Sequence, residues 1–92
     1  MARRMNLRLR AISGTIERFY AFVDGKKRIV ADGLGDATWS GDVDDDEIVV
    51  RVRVFGVGRA KYRLSLDLPG VADDQNLELW TDQGYGEMEL KI

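Results

Sequence analysis

Ninety-two residues, 45% apolar and 33% charged, describe one globular domain with a single core and little room for a deep catalytic cleft. A net charge of −2 is too small to point to a nucleic-acid or membrane surface. The chain has neither cysteine nor histidine, which excludes disulfides, thiolate nucleophiles, the usual zinc sites and the commonest general base.

The chain opens on MARRMNLRLRAISG. Its arginines supply the charge of a secretion signal, but Arg8 and Arg10 interrupt the apolar stretch such a signal needs. A cytoplasmic protein is the expectation, and a mature domain from a processed precursor is the alternative. Residues 1–4 are expected to form a flexible arm. Ser13-Gly14 then divides the opening strand as a turn or as a bulge. Asp24-Gly25, between ERFYAFV and KKRIVA, is the strongest two-residue hairpin signal. The facing of ERFYAFV is open. The preferred reading turns Tyr20 and Phe22 inward with Ile29 and Ala31; the other turns Phe19, Ala21 and Val23 inward with Val30.

Residues 32–47 make a long, acidic connection. A sixteen-residue loop is long for a compact domain, so a brief strand is expected around Thr38 to Ser40, with Trp39 plugging one end of the core. Asp42, Asp44 and Asp46 have the opening spacing of an EF-hand. The sixth position is Glu47 instead of glycine, and the twelfth is Arg53 instead of glutamate. An irregular calcium site on Asp32, Asp36, Asp42 and Asp44 is weighed against a solvated loop whose charges discourage edge pairing, and the loop is preferred. No metal or other cofactor is expected.

From residue 48 the period is two. Ile48, Val50, Val52 and Val54 alternate with Val49, Arg51, Arg53 and Phe55. Tyr62, Leu64, Leu66 and Leu68 alternate with Lys61, Arg63, Ser65 and Asp67, and Met88, Leu90 and Ile92 with Glu87, Glu89 and Lys91. Each run offers an apolar row to a core and a polar row to water. Gly56-Val57-Gly58 is expected to join two strands as a hairpin. It is no phosphate loop, since Lys61 replaces the third glycine and a strand follows where a helix is required. Pro69-Gly70 ends a strand, VADDQ crosses from one sheet to another, and Asp82-Gln83-Gly84 joins NLELW to YGEMELKI. No internal repeat is visible.

These elements predict an all-β fold: a two-layer antiparallel β-sandwich of about seven or eight short strands, with an immunoglobulin-like or transthyretin-like layout, over a single domain 1–92. A hairpin at Gly56 puts Arg51, Arg53, Lys61 and Arg63 on one outer face, where like charges repel. Pairing Trp80 with Tyr85 sets Glu78 opposite Glu87, with Glu89 nearby, and this acidic face neutralises the basic one if the two lie side by side.

Without histidine or a cleft, an enzyme is not expected. Val49, Phe55, Trp80 and Tyr85 stand on nominally outer rows, and contiguous outer apolar groups mark interfaces. The expected function is a non-catalytic protein-interaction or assembly module. Its binding residues are Trp80, Tyr85, Phe55, Arg51, Arg53 and Arg63, and its partner is another protein or a second copy in a homodimer. The alternative is a carbohydrate-binding module with an aromatic platform and calcium in the acidic loop. A polyanion on the arginines is a weaker third reading. Nucleic acid and membrane are not expected partners.

Overall fold

The computed structural model describes residues 3–33, 35–43, 47–70 and 72–92, with Asp74 described by its backbone alone. Among the described residues, six antiparallel strands form one continuous hydrogen-bonded sheet and no helix occurs. No helix is therefore long and apolar enough to cross a membrane. The strands are β1 (Arg3–Val23), β2 (Lys26–Asp32), β3 (Ala37–Val43), β4 (Val49–Leu68), β5 (Ala72–Trp80) and β6 (Tyr85–Lys91).

The period-two rows explain the class. Ile48, Val50, Val52 and Val54 are buried, as are Tyr62, Leu64, Leu66 and Leu68. Met88, Leu90 and Ile92 are partly buried against the same core. Two strands are unusually long, at 21 residues for β1 and 20 for β4. They pair with each other from Asn6–Asp67 to Val23–Val50. The glycines mark bulges, one of the two readings open for Ser13-Gly14 but not the hairpin expected at Gly56-Val57-Gly58. The register slips between Ala11 and Ser13, between Ser13 and Thr15, and between Ile16 and Arg18. Thus Gly56-Val57-Gly58 is no hairpin: β4 continues as one bulged strand from Val54 to Tyr62.

A straight strand of 21 residues spans about 70 Å, whereas the longest dimension of the molecule is 41 Å. The sheet therefore folds across its middle. Phe19 lies eight residues beyond Ala11, the partner of Tyr62, which is about 26 Å along an extended strand. Yet the Phe19 and Tyr62 rings meet edge to face at 6.5 Å between centroids. The apolar faces of the two halves close on each other there, and extra residues at bulges supply the bend. Gly14 sits at this bend with φ +77°, and an added Cβ there would come within 3.0 Å of Ala60 Cα.

Each half holds four strand segments. In the first, the start of β1 pairs with β3 (Leu7–Trp39) and the end of β4 pairs with β5 (Leu64–Leu77). In the second, the end of β1 pairs with β2 (Ala21–Ile29) and the start of β4 pairs with β6 (Val52–Met88). The chain thus follows the same path twice: long strand, tight turn, short strand, break, short strand. Met5, Leu7 and Leu9 correspond to Val50, Val52 and Val54, and Phe19, Ala21 and Val23 to Leu64, Leu66 and Leu68. Every counterpart stands 45 positions later, and all are buried. The repeat lies in backbone path and inward rows, not in residue identity, so the sequence conceals it.

Several local expectations change. Phe19, Ala21 and Val23 face inward, with Ile29 buried and Ala31 packed beside it, while Tyr20 and Phe22 face outward. VADDQ is no crossing: Ala72 and Gln75 pair with Leu68 and Leu66 in β5. Arg3 and Arg4, expected in a flexible arm, are strand residues paired with Val43 and Asp42, while Met1 and Ala2 lie outside the described residues. Other expectations hold. Asp24-Gly25 is a tight turn with φ +51° and +79°, the twist a two-residue hairpin needs. Gln83-Gly84 turns the same way, at +51° and +82°. Trp39 lies in β3 and packs on the core beside Gly41, where an added Cβ would strike its ring at 2.3 Å.

Candidate functional site

Three rows of four side chains cross the outer face of the second half, from β2 to β6. The first is Asp32, Arg18, Phe55 and Tyr85; the second is Val30, Tyr20, Arg53 and Glu87; the third is Lys27, Phe22, Arg51 and Glu89. Strand alternation puts them outward because Phe19, Ala21, Val50, Val52 and Val54 take the inward positions. The aromatics form a continuous chain. Tyr20 meets Phe55 at 5.8 Å and 90°, and Phe55 meets Tyr85 at 5.1 Å and 61°, both edge to face. Even so packed, Phe55 stays 41% exposed and Val30 53%.

The cations of this face sit on the rings. Lys27 Nζ lies 5.7 Å from the Tyr20 centroid and 5.9 Å from that of Phe22, and the Arg53 guanidinium lies 5.8 Å from Phe22. Arg51 instead donates to Glu89 at 2.7 Å, which holds the Glu89 carboxyl below its usual range. Tyr85 donates its hydroxyl to Glu87 at 2.9 Å, a bond that raises the tyrosine pKa. Arg18, Lys27 and Arg53 make no ion pair among the described residues.

Phe55, Tyr85, Arg51 and Arg53 are thus brought together as binding candidates, and Trp80 and Arg63 are not. Trp80 is opposite Lys61 and Arg63 opposite Glu78, in the first half. The expected Trp80–Tyr85 pair does not form, because Tyr85 is opposite Phe55. Nor do Arg51, Arg53, Lys61 and Arg63 share a face, since the fold separates the first two from the last two. The expected neutralisation occurs for Arg51, Lys61 and Arg63 but not for Arg53, with one acid strand at each end of β4. Lys61 and Arg63 contact Glu78 at 2.8 and 2.7 Å, and they hold its carboxyl down to about 2. Glu78 and Glu87 are not opposite each other; they face Arg63 and Arg53.

The aromatic platform is occupied by its own chain. Arg59 lies 4.6 Å and Lys61 5.5 Å from the Trp80 ring. In the acidic connection, Asp36 accepts from Arg8 and lies 3.4 Å from Arg10, which keeps its carboxyl below the usual range. Asp44 and Asp46 lie outside the described residues. Among the described residues no acids cluster as a cation cage would require.

Sequence reasoning missed Tyr20, Phe22, Lys27, Val30 and Arg18. No local signal separates the two rows, since Glu17 precedes Phe19, Ala21 and Val23 just as Arg18 precedes Tyr20 and Phe22. The chain matches no protein-family model, no curated protein and no solved structure.

Proposed function

We propose that this protein is a non-catalytic interaction or assembly module that meets another protein through the outer face of β2, β1, β4 and β6. The observation that carries this reading is the contiguous Tyr20–Phe55–Tyr85 chain, left open to water beside Val30. The ring pairs stabilise the sheet, but the exposed Phe55 and Tyr85 beside a bare valine make a contiguous apolar patch of the kind that marks an interface. Trp80 supports a sugar platform less well, because two cations already lie over it. The described acids near this face are taken up in surface pairs and hydrogen bonds instead of a sheltered site, which favours binding over catalysis. Within this reading the folded sheet serves as two layers, as in an immunoglobulin-like or transthyretin-like sandwich, except that β1 and β4 run through both. The setting we assign is cytoplasmic, without cofactor, nucleic acid or membrane.

A displayed library of random peptides tests the reading, selected in parallel on the native protein and on a folded Tyr20→Ser, Phe55→Ser variant. Enrichment that disappears with the variant is the expected result. No enrichment, or enrichment indifferent to the two substitutions, would count against a binding face here.

A further inference from the structure

Resting on the reading of this face as a protein contact, we infer that its occupant is an acidic protein segment carrying carboxylates interleaved with aliphatic side chains. The argument is one of charge and ring geometry. Arg18, Lys27 and Arg53 occupy three successive rows, and none has a carboxylate partner among the described residues. Lys27 and Arg53 rest on ring faces, an arrangement that orients a cation and leaves its outer side to solvent. Ring edges carry the positive end of the aromatic quadrupole, so a carboxylate meets favourable charge from rings and cations together. Val30, 53% exposed in the middle row, is the apolar contact between the charged positions.

The same geometry weighs against other occupants. A nucleic acid stacks its bases on open ring faces. Here Lys27 and Arg53 cover Tyr20 and Phe22, and Phe55 is flanked edgewise by its neighbours. Glu87 and Glu89 along β6, with Asp32 at the β2 margin, also oppose a continuous polyanion while leaving room for carboxylates placed between them. A second copy is the remaining occupant, and the sedimentation arm of the test below separates it from an acidic segment.

The test uses fluorescence polarisation with four labelled probes: a twelve-residue peptide alternating glutamate with leucine or valine, the same peptide with glutamine for glutamate, its lysine counterpart, and a thymidine oligonucleotide. The expected result is binding of the acidic peptide alone. Affinity should fall at least about tenfold in a Lys27→Gln, Arg53→Gln variant, the scale of one charge-assisted contact, and fall again as salt is raised. Both side chains are on the outer face, so the variant should retain the native melting curve. Binding of the glutamine peptide with equal affinity, preference for the oligonucleotide, or indifference to the two substitutions would overturn the inference. If the library of the preceding section still yields neutral peptides that need Phe55, the contact face stands and only its acidic partner fails. If nothing that needs Phe55 is enriched, the face itself is refuted. Sedimentation of the protein alone at micromolar concentration completes the set. A dimer abolished by Phe55→Ser would assign the face to a second copy and also overturn the inference.

Discussion

Thr81 tests the bend most sharply. It is fully buried, and it sits where the chain leaves β5 and turns past the bulge of β4. Its Oγ1 accepts a hydrogen bond from the Ala60 N–H at 2.7 Å and donates to the Gly58 carbonyl at 3.1 Å. Its own N–H donates to the Ala60 carbonyl at 2.8 Å. Thr81→Val keeps the shape and this backbone bond but removes the hydroxyl. The Ala60 N–H, in a residue with no exposed surface, then has no acceptor. Leaving a buried donor unmet costs about 1–3 kcal/mol, and the lost bond to Gly58 adds about 0.5–1.5 kcal/mol. The two together come to about 1.5–4.5 kcal/mol, centred near 3 kcal/mol, against a total stability of about 5–14 kcal/mol for a chain of this length. Urea denaturation should show the midpoint fall with the slope unchanged, and the melting temperature should drop by roughly 10–20 °C. Thr81→Ser keeps the hydroxyl and loses one methyl, so it should cost about 1 kcal/mol. A valine variant as stable as the native protein, or less damaging than the serine variant, would refute the account of how the bend is held.

Three further outcomes follow from the same structure. Gly33→Ala should destabilise by about 1–3 kcal/mol or more in urea melts, because its Cβ would lie 2.0 Å from the Ile16 carbonyl oxygen, a backbone atom that has to shift. Leu64→Ala removes a 1%-exposed side chain from the half of β4 that pairs with β5 and should cost about 2–5 kcal/mol by the same measurement. Thermal melts as a function of pH should show stability falling as pH drops from the ordinary carboxyl value of 4.5 toward about 2, because the folded state holds the Glu78 proton affinity below that of the unfolded chain. Asp36 and Glu89 are shifted in the same direction and add to the loss on acidification. Glu78→Gln should flatten part of that loss, and a variant with an unchanged pH profile would show that the Lys61–Glu78–Arg63 contact contributes nothing.

The strand rows were legible because alternation is a local property. Ile48 to Val54 and Tyr62 to Leu68 each declare an inner side without reference to anything distant. The turns at Asp24-Gly25 and Gln83-Gly84 were legible because few residues tolerate the positive φ they require. What was not legible depends on distant pairing. Gly56-Val57-Gly58 has the composition of a hairpin, but its neighbours pair with the middle of β1 and with β5 and β6 instead of with each other. That single difference separates Arg51 and Arg53 from Arg63 and sends Tyr85 to Phe55 instead of Trp80. The binding face was half visible for a related reason. ERFYAFV has large apolar groups on both rows, so only the partner strands decide which row is buried. With Phe19 inward, Tyr20 and Phe22 join Phe55 and Tyr85 outside, and a scatter of outer aromatics becomes one surface.

The most direct measurement is amide chemical-shift mapping by NMR during titration with the glutamate–leucine peptide. The account predicts that the shifts concentrate on β2, β1, β4 and β6 around Val30, Tyr20, Arg53, Phe55 and Tyr85. Shifts concentrated instead on the opposite outer face, at Asn6, Ser40, Ser65 and Asn76, would contradict it.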